Sequence, residues 1–266
     1  MIGWPTHGVR LFGTRHLTSR RGDELNWRAR NGWHGSQEGN NCRRAASSKM
    51  KMRLYFHPLS SNSRRVTMTA QQLGLELDLI IVDLLKGEHR DPEFLRFNPN
   101  GRVPLLEDDG FYLWESHAIM QYLADRSPDQ TLYPHDARAR ADINRWLFWS
   151  AYHFTPAVGF ISRERVSKKM VGGSGGPDPA EIQRGESLLT AAAQVLDAHL
   201  FGRQWIAQDK LTLADLAIAA PLMHTAAAQL PVLEYANLQR WFERIQALDA
   251  WHNTERTQVG GRLWRS

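Results

Sequence analysis

The sequence contains almost no cysteine and no long hydrophobic run. Only one of its 266 residues is a cysteine, Cys42, which excludes an intramolecular disulfide and a thiolate metal cluster. No apolar run approaches the length of about 20 residues that crosses a bilayer, and residues 1–21 contain no continuous apolar stretch of the signal-peptide kind. We therefore expect a cytoplasmic protein without a membrane partner or a bound metal.

An excess of acidic or basic charge is also missing from most of the chain. The net charge is +5, but residues 1–51 carry ten Lys or Arg and only three Asp or Glu, which leaves −2 for residues 52–266. Because a nucleic-acid-binding domain normally carries its own basic surface, the near-neutral remainder argues against a nucleic-acid partner.

The basic leader, residues 1–49, is rich in Gly, Arg, Asn and Ser and has no period of 2 or 3.6 residues. We interpret it as disordered. The favoured explanation is that translation starts at Met50 or Met52, which would make the leader an artefact or a dispensable tail. An organelle transit peptide and a phosphate-binding arm are the alternatives.

The segment 52–128 has the pattern of a small α/β domain. Short strands are predicted at 53–57, 77–82, 104–107 and 112–114, with helices at 63–73, 92–97 and 116–126. The β-branched run 77–82 is typical of a buried strand, and Asp108-Asp109-Gly110 is a hairpin signal. The order βαβ-αββα predicts a thioredoxin-like fold.

The second part of the chain has no strand signal. A Pro-rich linker, 127–135, precedes helical patterns at 137–154, 180–200, 212–224 and 238–248. Continuation of the first pattern to Val166 is an open alternative. We expect an all-α helical domain over residues 136–252 and a fraying tail over 253–266. Thr212 and Asp215 have the spacing of a capping box, whose role is in folding.

Three polar segments lie at strand ends, where ligands bind in α/β sheets. In the first, Ser60 could donate a hydrogen bond to a bound thiolate and stabilise it. The alternative is that these polar residues only cap the helix, with Ser63 as the N-cap. Ser61 keeps the assignment of the thiolate donor ambiguous by one residue.

The other two segments are Gly101-Arg-Val-Pro-Leu-Leu106 and Trp114-Glu-Ser-His-Ala-Ile119. Pro104 suits a cis turn that exposes the preceding backbone to a ligand, although a trans proline at a sheet edge is the commoner case. Glu115 and Ser116 stand where a strand becomes a helix, and a helix N-terminus attracts carboxylates. Capping alone also explains Ser116. It explains Glu115 less well, since an acid there needs a partner if it is partly buried.

Taken together, these segments resemble the glutathione transferase superfamily over residues 52–248. The sequence is similar to serine-type members of the phi and theta classes, and we expect it to be a bacterial-style member. It rests on the serine loop 59–64, the stretches 86–90, 92–95 and 98–106, the Glu-Ser pair in 114–119, and Leu-Thr-Leu-Ala-Asp-Leu-Ala at 211–217.

The resemblance implies roles for individual residues. Ser60 matches the residue that activates the thiol, and Val103 matches the residue whose backbone pairs with the cysteinyl part of glutathione, with Pro104 as the cis proline. Glu115 and Ser116 match the binders of the γ-glutamyl end. His89, Arg90 and Arg102 would lie near the glycine carboxylate, although for His89 and Arg90 a solvated loop is an equal alternative.

The implied activity is transfer of glutathione, as co-substrate and without a prosthetic group, to small, mostly apolar electrophiles. The relatives suggest a homodimer. Trp149, Tyr152 and His153 could form an aromatic wall for the electrophile, although core or dimer contacts are the favoured interpretation. Isomerisation, dehalogenation or peroxide reduction with glutathione is a first alternative activity, and a non-catalytic binder is a second. A protein thiol is disfavoured because residues 52–266 contain no cysteine.

Overall fold

A computed structural model describes residues 52–170, 176–232 and 234–255. Cys42, the leader predicted over 1–49 and most of the predicted tail lie outside the described residues. The first part contains β1 (Arg53–Phe56), α1 (Ser61–Gln72), β2 (Asp78–Ile81), a 3₁₀ turn (Glu88–Arg90), α2 (Pro92–Phe97), β3 (Leu105–Asp108), β4 (Phe111–Trp114) and α3 (Ser116–Asp125). This is the element order that the sequence predicted.

The four strands form one mixed sheet in the order β2-β1-β3-β4. β1 pairs with β2 in parallel, with Leu54 opposite Leu79, and β3 is antiparallel to both β1 and β4. A parallel β1–β2 pair joined by α1, followed by the β3–β4 hairpin, is the thioredoxin-like arrangement, so the predicted fold class is confirmed.

The prediction that residues 77–82 form a buried strand was wrong about burial. β2 is an edge strand, and Leu79 and Ile81 keep 39% and 38% of their surface exposed. Within the described sheet β2 pairs with one neighbouring strand, whereas Leu54 and Tyr55 of β1, which has a strand on each side, are fully buried. The β-branched residues therefore predicted the strand correctly, but they did not indicate whether it lies at the edge or in the centre of the sheet.

The start of α1 also differs from the prediction. Ser60, and not Ser63, is the N-cap: its Oγ accepts a hydrogen bond from the Ser63 N–H at 3.2 Å. Ser63 lies inside the helix, and its Oγ accepts from the His57 N–H at 3.3 Å. Several hydroxyls in succession offer alternative caps, and here the first one takes the role because its backbone is extended.

The second part of the described chain is entirely helical. Its first helical run consists of α4 (Ala137–Trp149), a π turn (Ser150–Phe154), α5 (Thr155–Ser162), a second π turn (Arg163–Ser167) and α6 (Lys168–Met170). After these come α7 (Pro179–Leu200), α8 (Leu213–Ala219), a 3₁₀ turn (Ala220–His224), α9 (Thr225–Ala228), α10 (Ala236–Gln246) and α11 (Asp249–His252). The all-α second part is also confirmed.

The capping box at the start of α8 is present. The fully buried Asp215 carboxylate accepts from the Thr212 N–H at 2.9 Å and from its Oγ1 at 3.0 Å. It also accepts from the Ile206 N–H and from Trp241 Nε1, both at 2.9 Å. Burial raises the pKa of Asp215 to about 6, against the opposing effect of these donors. Asp215 thus joins α8, α10 and the segment before α8.

The tail predicted over 253–266 stays a prediction, and its first three residues are the last ones that the structure describes. Trp251 and Thr254 are buried, and the Arg64 guanidinium lies 3.8 Å from the centre of the Trp251 ring. Arg64 Nη2 also donates to the Trp251 carbonyl at 2.9 Å. The end of the helical part is therefore attached to α1. Among the described residues, no helix has the length and apolar character to cross a membrane.

The packing of α5 against α7 depends on a glycine and yields a stability prediction. A Cβ added at the buried Gly185 of α7 would lie 2.8 Å from Ile161 Cγ1 and 2.9 Å from Phe160 Cβ. We expect Gly185→Ala to lower the free energy of unfolding by about 1–2 kcal/mol, because crowding outweighs the better helix propensity of alanine. Urea denaturation measures this.

Gly159 in α5 is the matched control. It is exposed, and a Cβ there would meet no atom within 4 Å. Gly159→Ala should therefore raise the free energy of unfolding by up to about 1 kcal/mol through helix propensity alone. Equal effects of the two substitutions would contradict the proposed close contact.

Candidate functional site

Two adjoining cavities open at the ends of β1, β3 and β4, with volumes of about 510 and 470 Å³. They share Asn100, Arg102 and Val103. The structure brings together every residue that the sequence assigned to glutathione or its thiol. Arg102, Val103, Pro104, Glu115 and Ser116 line the first cavity, and Ser60, His89, Arg90, Arg102 and Val103 line the second.

Ser60 reaches the second cavity from the loop between β1 and α1. Because its Oγ accepts the Ser63 N–H as the helix cap, its hydroxyl proton remains available for a bound anion. No acidic residue occupies the first turn of the 12-residue α1. The partial positive charge at the helix N-terminus is therefore not neutralised by a carboxylate of that turn. Ser61, the alternative donor, begins α1 and lines neither of the two cavities.

The loop before β3 supplies the wall that the two cavities share. The Val103–Pro104 peptide bond is cis, which agrees with the turn suggested by the sequence. The buried Asn98 side chain organises the loop: its Nδ2 donates to the Arg102 carbonyl at 2.6 Å, and its Oδ1 accepts from the Asn100 N–H at 3.1 Å. The loop therefore has an internal hydrogen-bonded support from a residue that also lines the first cavity.

Glu115 and Ser116 form the junction between β4 and α3. Glu115 has φ 71° and ψ 109°, a backbone conformation that is unfavourable for a residue with a side chain and that often marks a functional site. Its side chain is exposed, so the condition of the sequence argument, an acid that is partly buried, is not met. Ser116 is buried as the first residue of the ten-residue α3.

His89 and Arg90 belong to the 3₁₀ turn that borders the second cavity. The turn is attached through Glu88, whose carboxylate accepts from the Asp83 N–H at 2.8 Å. Partial burial, together with the charge of Arg90, lowers the pKa of His89. His89 is therefore a neutral hydrogen-bonding group at pH 7, and the positive charge of this wall comes from Arg90 and Arg102.

Sequence reasoning missed several residues of the first cavity. Asn62, Arg65, Asn98, Asn100 and His117 line it as well. The Asn-Pro-Asn-Gly turn was a signal for Asn98 and Asn100, since such residues support turns through side-chain hydrogen bonds. Arg65 and His117 gave no signal, because charged and polar residues on a helix are normally solvent-facing. Arg65 is nevertheless only 1% exposed.

The suggested aromatic wall does not line the first cavity. The residues of the helical part that line this cavity are small: Ala151, Thr155 and Pro156. Trp149 packs against Trp146 and Phe154 with ring centres 5.2 and 5.8 Å apart, and Tyr152 is 81% exposed. Trp149 thus belongs to the packing that the sequence analysis favoured for these aromatics.

Comparison with known proteins identifies the family. The description "Glutathione S-transferase, N-terminal domain" matches residues 50–125, and "Glutathione S-transferase, C-terminal domain" matches residues 152–249. The chain belongs to the glutathione transferase superfamily. The expected serine-type, phi-like character is consistent with the solved structures that resemble it.

Three of these structures illustrate the similarity. Glutathione transferase F7 from Populus trichocarpa is 26% identical, with a TM-score of 0.70 over 76% of this chain and 97% of its own. A delta-class glutathione transferase from Nilaparvata lugens is 32% identical, with a TM-score of 0.67 over 79% of this chain and 95% of its own. Glutathione S-transferase-I, solved with bound lactoylglutathione, is 25% identical, with a TM-score of 0.69 over 77% of this chain and 98% of its own.

Gly101 gives a test of whether the shared wall binds glutathione. It has φ +57°, and an added Cβ would lie 3.1 Å from the His89 carbonyl oxygen and 3.2 Å from Leu95 Cδ2. We expect Gly101→Ala to displace the turn that carries His89 and Arg90, and to raise the dissociation constant of glutathione about tenfold in calorimetric titration.

Gly110 in the β3–β4 turn provides the control. It also has a positive φ, +80°, but a Cβ there would meet no atom within 4 Å. Gly110→Ala should lower the free energy of unfolding by about 1 kcal/mol, because alanine is strained at positive φ, as it is at Gly101. It should not weaken glutathione binding. If both variants bind glutathione as the wild type does, the shared wall does not contact the ligand.

Proposed function

We propose that the protein is a glutathione transferase that ionises the glutathione thiol and adds it to small electrophiles. The observation that supports this most strongly is the position of Ser60. Its hydroxyl stands at the N-terminus of α1, beside the cavity wall formed by His89, Arg90, Arg102 and Val103, with its proton uncommitted to the cap. The family and the bound glutathione conjugate of one structural relative agree with this proposal.

The required change in thiol acidity is within reach of this arrangement. A free cysteine thiol has a pKa of about 8.5, so only a few per cent is thiolate at pH 7. Lowering that pKa by about two units requires about 2.7 kcal/mol of preferential stabilisation of the anion. A hydrogen bond from Ser60 to a charged sulfur contributes about 1.5–3 kcal/mol, and the dipole of α1 adds about 0.3–1 kcal/mol.

In the proposed complex, the tripeptide spans both cavities. Val103 pairs with the cysteinyl backbone, and Glu115 and Ser116 hold the γ-glutamyl ammonium and carboxylate. Arg90 and Arg102 attract the glycine carboxylate, with His89 as a neutral neighbour. The thiolate then attacks the electrophilic carbon of the acceptor, forming the C–S bond as the leaving group departs with its electron pair. The acceptor approaches along the small residues Ala151, Thr155 and Pro156.

The thiolate itself can be measured in the complex. We expect the ultraviolet titration of bound glutathione to give a thiol pKa about one to two units higher in Ser60→Ala than in the wild type, because the ionic hydrogen bond is lost. Ser61→Ala should leave this pKa unchanged. Ser60→Thr, which retains both a hydroxyl and a capping oxygen, should keep it low.

Ser60→Ala also removes the helix cap, at a cost of about 1 kcal/mol, so thermal unfolding should accompany the titration. An unchanged thiol pKa in Ser60→Ala would refute the role of Ser60, and a raised pKa in Ser61→Ala alone would transfer that role to Ser61.

A second measurement separates the proposed reaction from its alternatives. We expect turnover with a chlorodinitrobenzene-type acceptor, because the thiolate is presented beside an open cavity wall without large side chains from the helical part. Turnover only with a haloacid or a maleyl compound would instead favour dehalogenation or isomerisation. Retention on glutathione resin without any turnover would favour a binding protein.

A further inference from the structure

A small cavity of about 230 Å³ lies between the second half of α1 and the edge strand β2. Thr67 and Ala70 of α1 line it, together with the partly exposed Leu79 of β2, and we call it the α1–β2 pocket. It shares no residue with the two cavities of the candidate site. Small-molecule sites usually exceed about 300 Å³, so this pocket suits one large side chain of a protein segment better than a separate small ligand.

The C-terminal end of the described chain passes along this pocket. Asn253 and Thr254, which follow α11, belong to its lining. Thr254 is buried, and its Oγ1 donates to the Ala250 carbonyl at 2.7 Å and accepts from Arg64 Nε at 3.4 Å. The described chain ends at Glu255. Residues 256–266 therefore start from a fixed point beside the pocket.

The composition of residues 256–266 suits the α1–β2 pocket. The stretch Arg-Leu-Trp-Arg at 262–265 places two apolar side chains between two arginines, and residues 256–266 contain no Asp or Glu. Trp and Arg are the side chains that most often anchor an interface in a pocket. The lining of the pocket includes an exposed acid, Glu76, and no Lys or Arg. The two surfaces therefore match in both apolar character and charge.

The chain is long enough to bring this stretch back to the pocket. The residues between Glu255 and Trp264 can span about 26 Å when extended, whereas the 12-residue α1 is about 18 Å long. Gly260 and Gly261 allow the backbone to turn just before Arg262. A segment attached by so short a connection has an effective concentration in the millimolar range, so even a weak contact would be occupied.

We propose that residues 262–265 bind in the α1–β2 pocket of their own chain, with Trp264 as the anchor. The bound segment covers the exposed apolar surface of Leu79 and brings its arginines near Glu76. It thus braces α1, which carries Ser60 at its N-terminus, from the side of β2. This inference does not depend on the proposed function, and it gives a place to part of the tail that the sequence analysis expected to fray.

Cleavage of the full chain by an arginine-specific protease tests the position of this segment. Mass spectrometry measures the rate at the bond after Arg262, and a synthetic peptide of residues 256–266 gives the rate for the unbound segment. Because the protease cuts only the released form, the ratio of the two rates reports how much of the segment is bound. We expect wild type to be cut about tenfold more slowly than the peptide, and Trp264→Ser to be cut as fast as its own peptide.

Leu79→Lys changes the pocket and leaves the segment as it is. Leu79 is partly exposed on an edge strand, where lysine is well tolerated, and the new charge would repel the two arginines. We expect this variant to lose the protection. Leu85→Lys is the matched control, because Leu85 is another exposed leucine of the thioredoxin-like part but does not line the pocket. It should keep the protection.

Glu76→Lys, at an exposed position of the lining, should also reduce the protection, and it replaces Leu79→Lys if that variant does not fold. A wild-type segment that is cut as fast as the peptide overturns the inference. Protection that persists in the pocket variants also overturns it, because the segment would then bind elsewhere. Protection that rises with protein concentration would place the segment on a second copy and overturn binding within one chain.

Discussion

The burial of α1 on both sides is the constraint on which the site depends. The helix contacts α3 in the thioredoxin-like part, and α8 and α11 in the helical part. Val66 and Met68 in its middle are fully buried. Since protein interiors are close-packed, the helix cannot shift without disturbing both cores. Ser60 at its N-terminus and Arg65 one turn later are therefore held at fixed positions relative to the cis-proline loop and the start of α3.

The element order and the sequence motifs of the family were predictable, because local signals determine both. Turn residues, hydrophobic periodicity and the spacing of the Ser, Pro and Glu-Ser segments belong to short stretches of chain. Properties that depend on what packs against an element were not predictable from the sequence. The edge position of β2 depends on the order of strands in the sheet, and the attachment of Trp251 to Arg64 joins residues far apart in sequence.

The position of Trp149, Tyr152 and His153 outside the lining of the first cavity has a specific structural cause. In a regular helix through residues 137–166, side chains at helical spacing would all point to the same side. The π turn at Ser150–Phe154 inserts an additional residue and interrupts this spacing. One residue corresponds to about 100° of rotation around a helix axis, so a face projected from α4 no longer points to the same side in α5. Pro156 follows at once. A proline there lacks an N–H and would crowd a regular helix, and the π turn accommodates it. Ala151, Thr155 and Pro156 therefore line the cavity.

Arg64 and Arg65 show how differently two neighbouring positions of one helix can surround a buried charge. The two residues are adjacent, both buried and both charged, yet their surroundings differ. Arg64 has an aromatic ring, a carbonyl oxygen and a threonine hydroxyl around it, which is the environment of a structural contact. Arg65 has two hydroxyls, a neutral imidazole and an unpaired Nε. An unpaired buried charge opposes folding, so we expect Arg65 to stabilise the free protein less than Arg64 does.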